Sequence, residues 1–517
     1  MDDQTEALAF LAALAPGAVR IDTHASAIFL IGQRAFKLKR AVRYPYLDYS
    51  TAARRGAMCR AEFEINRRIA PSLYRRVRAI RRRASGAVGF DGKGTAIDWV
   101  IEMRRFDGET LFDRLAETDR LSAETMRQLA DIVAAFHRRA RPTRAGGGRD
   151  GIARVIDGNV ERLRAAGAAL DQRKVARLGA VWRRALAAAA PLLERRRRGG
   201  KVRHCHGDLH LGNICLDGGK PTLFDAIEFS ADLTRIDVLY DLAFLLMDLV
   251  HRGRQDFASL VLNRYLDLTR DDDGLLALPL FLSLRAGIRA HVAIAAAATQ
   301  RGAARQRKQR GLARSYLDLA ARLIEPAAPR LVAMGGLSGS GKSTVARALA
   351  AFLPPTPGAR VLRSDVLRKA LLDLPPERKA PGKAYNRAMT RRVYGGLVRA
   401  AARVLGAGRS VILDAVFLEP RERAAAERVA ARAGAAFAGL WVDAPPRVMA
   451  ARIGARRRDA SDATPAVLRH QLALDPGPLT WRRLDNGRAL PHVVKAARRL
   501  TARTKVPAMP KARRRRQ

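Results

Sequence analysis

The chain has 517 residues, 48% of them hydrophobic, and its 96 Lys and Arg stand against 49 Asp and Glu for a formal charge of +47. Such a length exceeds one hydrophobic core, so two domains are expected, and such a charge attracts polyanions without sequence readout. The excess is almost all Arg and spreads along both halves, which favours a compositional bias over a clustered nucleic-acid stripe.

The start, Met1-Asp2-Asp3-Gln4, lacks the positive region of a signal peptide. Ile21 to Gly32 reads as a strand and turn, and Arg34 to Arg40 as a second strand. Along Ala35-Phe36-Lys37-Leu38-Lys39 the period of two puts both lysines on one face. A phosphate-holding lysine and a solvated strand face fit that pattern equally well. Thr51 to Ala70 reads as a helix stopped by Pro71 and carrying Glu62 and Glu64. Asp98 to Met103 is an apolar strand before Arg104-Arg105. Ser122 is placed to cap a helix through Ile132, Val133 and Phe136 that ends before Pro142. Three glycines mark Ala145 to Asp150 as a loop, and Ala-rich helical sequence then runs to Arg198, where Gly199-Gly200 breaks it. Cys59, Cys205 and Cys215 are too few and too irregular for a disulfide framework or a zinc site, so reduced thiols in a cytoplasmic protein are expected.

The first chemical centre is His206-Gly207-Asp208-Leu209-His210-Leu211-Gly212-Asn213, followed by Leu223-Phe224-Asp225-Ala226-Ile227-Glu228-Phe229. Phosphoryl transfer needs a carboxylate to orient or deprotonate the acceptor, and an amide oxygen and a second carboxylate on Mg²⁺. Asp208, Asn213 and Asp225 supply those chemistries in that order. Asp217-Gly218-Gly219-Lys220 between apolar runs predicts a hairpin that sets Asp225 opposite the loop. This loop resembles the H-G-D-x-H-x-x-N loop of the aminoglycoside phosphotransferases and related small-molecule kinases, a resemblance spanning roughly residues 20 to 320. The resemblance implies a protein-kinase-like bilobal fold, Asp208 as catalytic base, Asn213 and Asp225 on Mg²⁺, and Lys37 as the phosphate lysine paired with Glu62. It also implies a hinge at Glu102 to Arg104. No glycine-rich loop precedes Lys37; His24-Ala25-Ser26-Ala27 is the one candidate. His206 and His210 are expected to fix backbone rather than to react.

Arg235-Ile236-Asp237, Tyr240 and Asp241 lead into a helix from Leu242 to Val250. Asp241 fits two readings, a brace for the preceding loop or a carboxylate favoured at a helix start. For Asp271-Asp272-Asp273, a solvated loop is expected over a site for a cationic substrate. Helices from Leu275 to Ile324 complete a helical lobe. No apolar run reaches membrane length uninterrupted: Val238 to Val250 holds Asp241 and Asp248, and Leu275 to Ala298 holds Arg285, Arg289 and His291. No membrane association is expected.

Glu325-Pro326-Ala327-Ala328-Pro329 reads as a linker. After the apolar run Leu331 to Met334, Gly336 to Thr344 fits the G-x-x-x-x-G-K-[ST] pattern of a P-loop, and Val345 to Phe352 reads as the helix behind it. Gly336, Gly339, Ser340, Gly341 and Thr344 shape a backbone cradle for phosphate, Lys342 adds a point charge, and the Ser343 hydroxyl is a Mg²⁺ ligand. Arg360 to Arg363, Ser410 to Leu413 and Ala436 to Val442 each follow a helical segment, which implies a parallel sheet with its site at the carboxyl ends of the strands. Ser364-Asp365, Asp414 and Asp443 sit at such ends. Asp365, followed by Arg368, is the candidate base and Asp414 a Walker B carboxylate on Mg²⁺, while Asp443 is read as a helix cap. Arg452, Arg456, Arg457 and Arg458, before Asp459-Ala460-Ser461-Asp462, fit both a lid over transferring phosphates and a solvated basic face.

Residues 331 to about 500 resemble the P-loop kinases grouped with zeta toxins, chloramphenicol phosphotransferase and gluconate kinase, which phosphorylate hydroxyls of small molecules. The two halves in tandem resemble a bacterial fusion of an aminoglycoside phosphotransferase with a P-loop ATP-binding domain. The expectation is therefore an α+β kinase-like domain over 1–325, an α/β P-loop domain over 330–500 and a basic disordered tail over 501–517. Two ATP- and Mg²⁺-dependent kinase sites would act on small-molecule hydroxyl acceptors. An RNA-end kinase or nucleic-acid binder, and an ATP-binding regulator with one active centre, are the alternatives. The acceptors and the oligomeric state are not legible, because a fold does not name its ligand.

Overall fold

The structure, a computed structural model, describes residues 2–23, 25–44, 47–300, 302–456, 459–502 and 504. His24, the lid arginines Arg457 and Arg458, and tail residues 503 and 505–517 lie outside the described residues. The chain forms two compact units, Met1–Arg252 with Leu280–Ala321, and Gly253–Pro279 with Arg322–Gln517. The second unit thus takes in an internal segment that a single division at the 325–330 linker leaves with the first.

In the first unit six antiparallel strands run in the order Val19–Asp22, Ser26–Ile31, Arg34–Lys39, Thr95–Arg104, Tyr74–Arg82 and Val88–Phe90. Alternation along Arg34–Lys39 sorts its side chains between two faces. Phe36 and Leu38 are buried with Ala7 and Leu11 of the helix Thr5–Ala13. Ala35 is buried with Cys59 of the helix Ala52–Asn66, and both lysines reach Glu62 on that same helix. The lysine face is therefore enclosed rather than solvated. Thr51 caps this helix, its hydroxyl accepting from Arg54 N.

Helices and short two-stranded ribbons make up the rest of the unit. Ser122 caps Ala123–Arg139 as expected, its Oγ accepting from Thr125 N. The glycine loop is shorter than expected, since a helix already starts at Gly148 and runs to Ala165. The helix Gln172–Arg198 ends on Gly199, and its fully buried Trp182 donates to Ser283 Oγ at 2.7 Å. The helix Leu278–Thr299 is long and apolar enough to cross a membrane by composition, yet 61% of its apolar window is buried inside the protein. Arg285, one of the charges that interrupt it, is also buried and donates to the carbonyls of Tyr240 and Gly207 at 3.1 Å each.

The second unit is an α/β layer structure. Its five parallel strands lie in the order Arg360–Arg363, Val411–Asp414, Arg330–Gly335, Ala436–Asp443 and Arg482–Asp485. Crossover helices connect them, as parallel pairing requires, and Val332, Met334, Ile412 and Leu440 share a core with Val345 and Leu349 of the helix Lys342–Ala350. The strand Arg482–Asp485 carries no apolar pattern to read, because only Leu484 of its four residues is buried.

Arg360–Arg363 is the edge strand, and the segment Gly253–Pro279 covers it. Asn263, on the helix Gln255–Thr269, stands in for a neighbouring strand: its Nδ2 donates to Ala359 O at 3.0 Å and its Oδ1 accepts from Val361 N at 2.7 Å. Arg360 is buried and donates to Asp267 and Asp272 at 2.7 Å each. Asp271 is buried too, and of the three acids only Asp273 is exposed. The Asp271–Asp273 knot is thus largely an internal counter-charge, not a solvated loop, because a buried guanidinium persists only when it is paired.

Candidate active sites

In the first unit the site is built on a hairpin. Ile214–Asp217 pairs with Lys220–Leu223, and Gly218 and Gly219 take positive φ in the two-residue turn. Asn213 precedes the first strand and Asp225 follows the second, while Phe224 N donates to Asn213 O at 3.1 Å. Asp225 holds a φ of +62°, a left-handed conformation that disfavours any residue with a Cβ by about 1–2 kcal/mol. Asn213 Nδ2 donates to the Asp208 carbonyl at 2.9 Å and to its carboxylate at 3.0 Å. With the amide nitrogen committed there, the amide oxygen remains for a hard cation, the donor type that Mg²⁺ takes.

Asp208 keeps 38% of its side chain open to solvent and lies 3.4 Å from His210 Nε2. His210 Nδ1 accepts from Gly212 N, which assigns the ring proton to Nε2 and gives this histidine the backbone-fixing part expected of it. The crowding of protein round Asp208 opposes its charge, but His210 foremost, then Arg289 and His206, outweigh it and hold the carboxyl well below the ordinary range.

Lys37 Nζ donates to Glu62 Oε1 at 2.8 Å and to Asp225 Oδ1 at 2.5 Å. These contacts separate the two lysines: Lys37 reaches the hairpin carboxylate, whereas Lys39, 2% exposed, is closed in by Glu62, Glu228 and Tyr49. Burial works against the Lys37 charge, and Asp225 and then Glu62 overcome it, so its pKa is raised. They also separate the two glutamates, since Glu64 is exposed and its ion pair is with Arg67. Ser26 is buried in a strand, and its carbonyl closes a turn by accepting from Thr23 N at 2.8 Å. Glu102–Arg104 stays in the central strand, paired with Arg34–Phe36 on one side, so the chain leaves the sheet one residue past the expected hinge.

Asp241 proves to be the brace. Its carboxylate accepts from His206 N at 3.1 Å and Gly207 N at 2.9 Å, and it lies 3.0 Å from His137 Nε2, all fully buried. His206 Nε2 donates to Phe224 O at 2.9 Å, tying the loop to the hairpin.

In the second unit the P-loop follows the central strand Arg330–Gly335. Gly336, Gly339 and Gly341 have φ of +137°, +85° and +87°, and a Cβ on each would lie 2.3 Å from Val442 O, 2.4 Å from Met449 O and 2.1 Å from Asn486 Nδ2. Ser340 O accepts from Asn486 Nδ2 at 2.6 Å and Arg452 Nη1 at 3.1 Å, and Arg452 also donates to Asn486 O. The carbonyl is thereby held away; Gly336 N, Ser338 N and Ser340 N donate to Val416 O, Gln471 Oε1 and Leu337 O, so the start of the helix Lys342–Ala350 is the part that favours an anion. A cavity of about 380 Å³ is lined by Gly339, Gly341, Lys342, Ser343 and Thr344, with Asp365, Arg452 and Arg456. Gly336 and Ser340 shape the loop from behind it. Among the described residues, Arg456 Nη1 and Ser340 Oγ are buried with no hydrogen-bond partner. Burial lowers the Lys342 pKa, and the nearby Asp414 and Asp365 offset that only in part.

Asp414 is 3% exposed at the end of its strand and accepts from Arg363 Nε at 3.3 Å, while Arg363 Nη2 donates to Asp459 at 3.0 Å. Arg368 is buried against Tyr385 and donates to Ala384 O. Asp443 is not a helix cap: Pro445 holds that position, and the carboxylate takes Ala444 N and Arg483. Sequence reasoning missed Arg363 and Asn486. The signal for Glu228 was a second acid, after Asp225, in an otherwise apolar run.

Two families match the chain: the phosphotransferase enzyme family (APH) over residues 38–278 and an AAA domain (AAA_33) over residues 331–476. The uncharacterized protein Rv2004c of Mycobacterium tuberculosis and Mb2027c of Mycobacterium bovis are each 30% identical over 472 residues, 90% of this chain and 91% of theirs. Among solved structures, the Mycobacterium tuberculosis APS kinase CysC in complex with AMPPNP and APS is 26% identical, covering 34% of this chain and 98% of its own at a TM-score of 0.26. The amicoumacin kinase hAmiN in complex with AMP-PNP, Ca²⁺ and Ami is 13% identical, covering 61% and 94% at a TM-score of 0.38. A kinase-like APH domain followed by a P-loop kinase-like domain defines an ATP-using phosphotransferase. The chain belongs to the family of those mycobacterial relatives.

Proposed function

We propose that the first unit transfers the γ-phosphoryl group of ATP to a hydroxyl of a small molecule, and that the P-loop unit carries out a second transfer of the same kind. The observation that carries this reading is the convergence on one hairpin of Asn213 with Asp208 and of Asp225 with Lys37. Asp208 orients the acceptor hydroxyl and takes its proton as the acceptor oxygen bonds to the γ-phosphorus and the bond to ADP breaks. An ionised carboxylate suits that part, and the depressed Asp208 pKa keeps it ionised. Asn213 and Asp225 offer hard oxygen donors for Mg²⁺, which when bound neutralises charge on the phosphates. Lys37, steadied by Glu62, holds phosphate oxygens.

In the second unit Gly336 to Thr344 cradle the phosphates and Lys342 faces the outer ones. Ser343 and Asp414 would hold Mg²⁺, which would neutralise charge on the phosphates. Asp365 is the base, and Arg452 and Arg456 stand over the transferring group. The acceptors are small-molecule alcohols, one class per unit.

The test is a metabolite-library screen for ATP-dependent gain of phosphate, run on the wild type, Asp208→Asn and Lys342→Ala. Asp208→Asn should lose one set of products by about 10²- to 10⁴-fold and Lys342→Ala a different set. Loss of every product in both variants would establish one coupled activity. Full product formation by Asp208→Asn would refute the assignment of the first unit.

A further inference from the structure

Lys39 and Glu228 take no part in the chemistry proposed above, yet they are among the most enclosed charges of the first unit. Lys39 Nζ donates to Glu62 Oε2 at 2.6 Å, to Glu228 Oε1 at 2.5 Å and to Tyr49 OH at 3.1 Å. The Tyr49 hydroxyl in turn donates to Glu228 Oε1 at 2.7 Å. The Lys39, Glu62 and Glu228 side chains are each 5% exposed or less. Glu62 divides its two oxygens, Oε1 to Lys37 and Oε2 to Lys39.

Nucleotide arrival changes one half of this arrangement only. On the reading given above, Lys37 would hold a phosphate and Asp225 would hold the metal, so the contact between the two would be given up. Glu62 would then be left to swing with Lys37 unless something else fixes it. The Lys39, Tyr49 and Glu228 cluster is bonded to Glu62 rather than to the groups that would meet the nucleotide, and it anchors Glu62 Oε2 to the chain just beyond Asp225.

We infer that Lys39 and Glu228, with Tyr49, form a permanent latch that positions Glu62 and, through it, Lys37 for phosphate. The inference rests on the kinase reading of the first unit. A buried ion pair kept only for folding behaves differently, because replacing both partners with apolar residues of similar size is often neutral for stability. A latch lost in that way costs function even when folding survives.

The experiment uses the full chain carrying Lys342→Ala, which confines nucleotide binding to the first unit. Mg²⁺ with AMP-PNP is titrated by calorimetry, and thermal midpoints are measured in parallel. The double substitution Lys39→Met with Glu228→Leu should lower the midpoint, because buried Glu62 Oε2 and Tyr49 OH lose these partners, yet leave a folded chain whose Kd weakens by about tenfold, the scale of one charge-assisted hydrogen bond. Glu62→Gln should weaken binding similarly, and adding the double substitution to it should change Kd by less than about twofold, because the latch acts through Glu62. Parent-like Kd in the double variant, or effects that multiply with Glu62→Gln, would overturn the inference. If the double variant does not fold, Tyr49→Phe retains both charges and should weaken Kd by about threefold, with an unchanged Kd again overturning it. Lys37→Met separates the two levels. Unchanged binding in Lys37→Met removes the underlying reading, whereas weakened binding there with an intact double variant removes only the latch.

Discussion

Asp241 offers the sharpest test of how the first site is held. Replacing it with Asn leaves one carbonyl oxygen where the structure needs acceptors for His206 N, Gly207 N and His137, and it puts an NH₂ group against at least one donor. Hydrogen bonds to a charged group contribute about 1.5–3 kcal/mol each, and a buried donor left unpaired costs about 1–3 kcal/mol. Allowing for partial relaxation, the loop opening should become easier by about 3 kcal/mol, roughly a 10²-fold rise in exchange of the His206 and Gly207 amides. Hydrogen exchange of a peptide spanning 204–213 reads this directly and needs no acceptor substrate. Burial opposes the Asp241 charge, and His137 foremost outweighs it, so the folded pKa is depressed. A depressed carboxyl pKa stabilises the fold at every pH above the unfolded value of about 4, and that contribution fades as pH falls through the folded value. The excess exchange of Asp241→Asn over wild type should therefore narrow on acidification. Wild-type exchange of those amides in Asp241→Asn at neutral pH would refute the brace.

Two further outcomes concern the second unit. Gly341→Ala should abolish tight Mg²⁺–AMP-PNP binding at the P-loop, measured in a Lys37→Met background that weakens binding at the first unit. Its Cβ would sit 2.1 Å from Asn486 Nδ2 at a φ of +87°, and the clasp on the Ser340 carbonyl must give way. Glu422 has its carboxyl pushed up to about 7, mainly by burial, so the folded state binds the proton more tightly than the unfolded state. Its stability contribution is present below pH 4 and declines as pH rises from there towards 7. Glu422→Gln should accordingly raise the thermal midpoint at pH 8 relative to wild type and leave it near wild type at pH 4.

Local chemistry was legible and distant pairing was not. The P-loop announces itself because glycines, lysine and hydroxyl must be contiguous to wrap one phosphate, and all of Gly339 to Thr344 except Ser340 line the cavity. Asp208, Asn213 and Asp225 were readable for a related reason, since a loop and one short hairpin bring them together. The choice between Lys37 and Lys39 was not, because both share a strand face and only the contacts of Asp225 and Glu228 separate them. Asn486 lies 146 residues from the Ser340 carbonyl it holds, after a strand with a single buried side chain, so no periodicity pointed to it. The acids at 271–273 misled because exposure was inferred from charge. Arg360, 88 residues beyond Asp272, reverses that inference.

The segment Gly253–Pro279 belongs to the second unit but is flanked on both sides by chain of the first. No single proteolytic nick can release the P-loop unit whole. A polypeptide beginning at Arg322 would present the bare rim of strand Arg360–Arg363 and a guanidinium stripped of Asp267 and Asp272, a combination that invites edge-to-edge aggregation. Producing that half in isolation therefore calls for grafting the missing stretch back through a linker or supplying it as a separate peptide, and descendants of this gene cannot shed the front half by simple truncation.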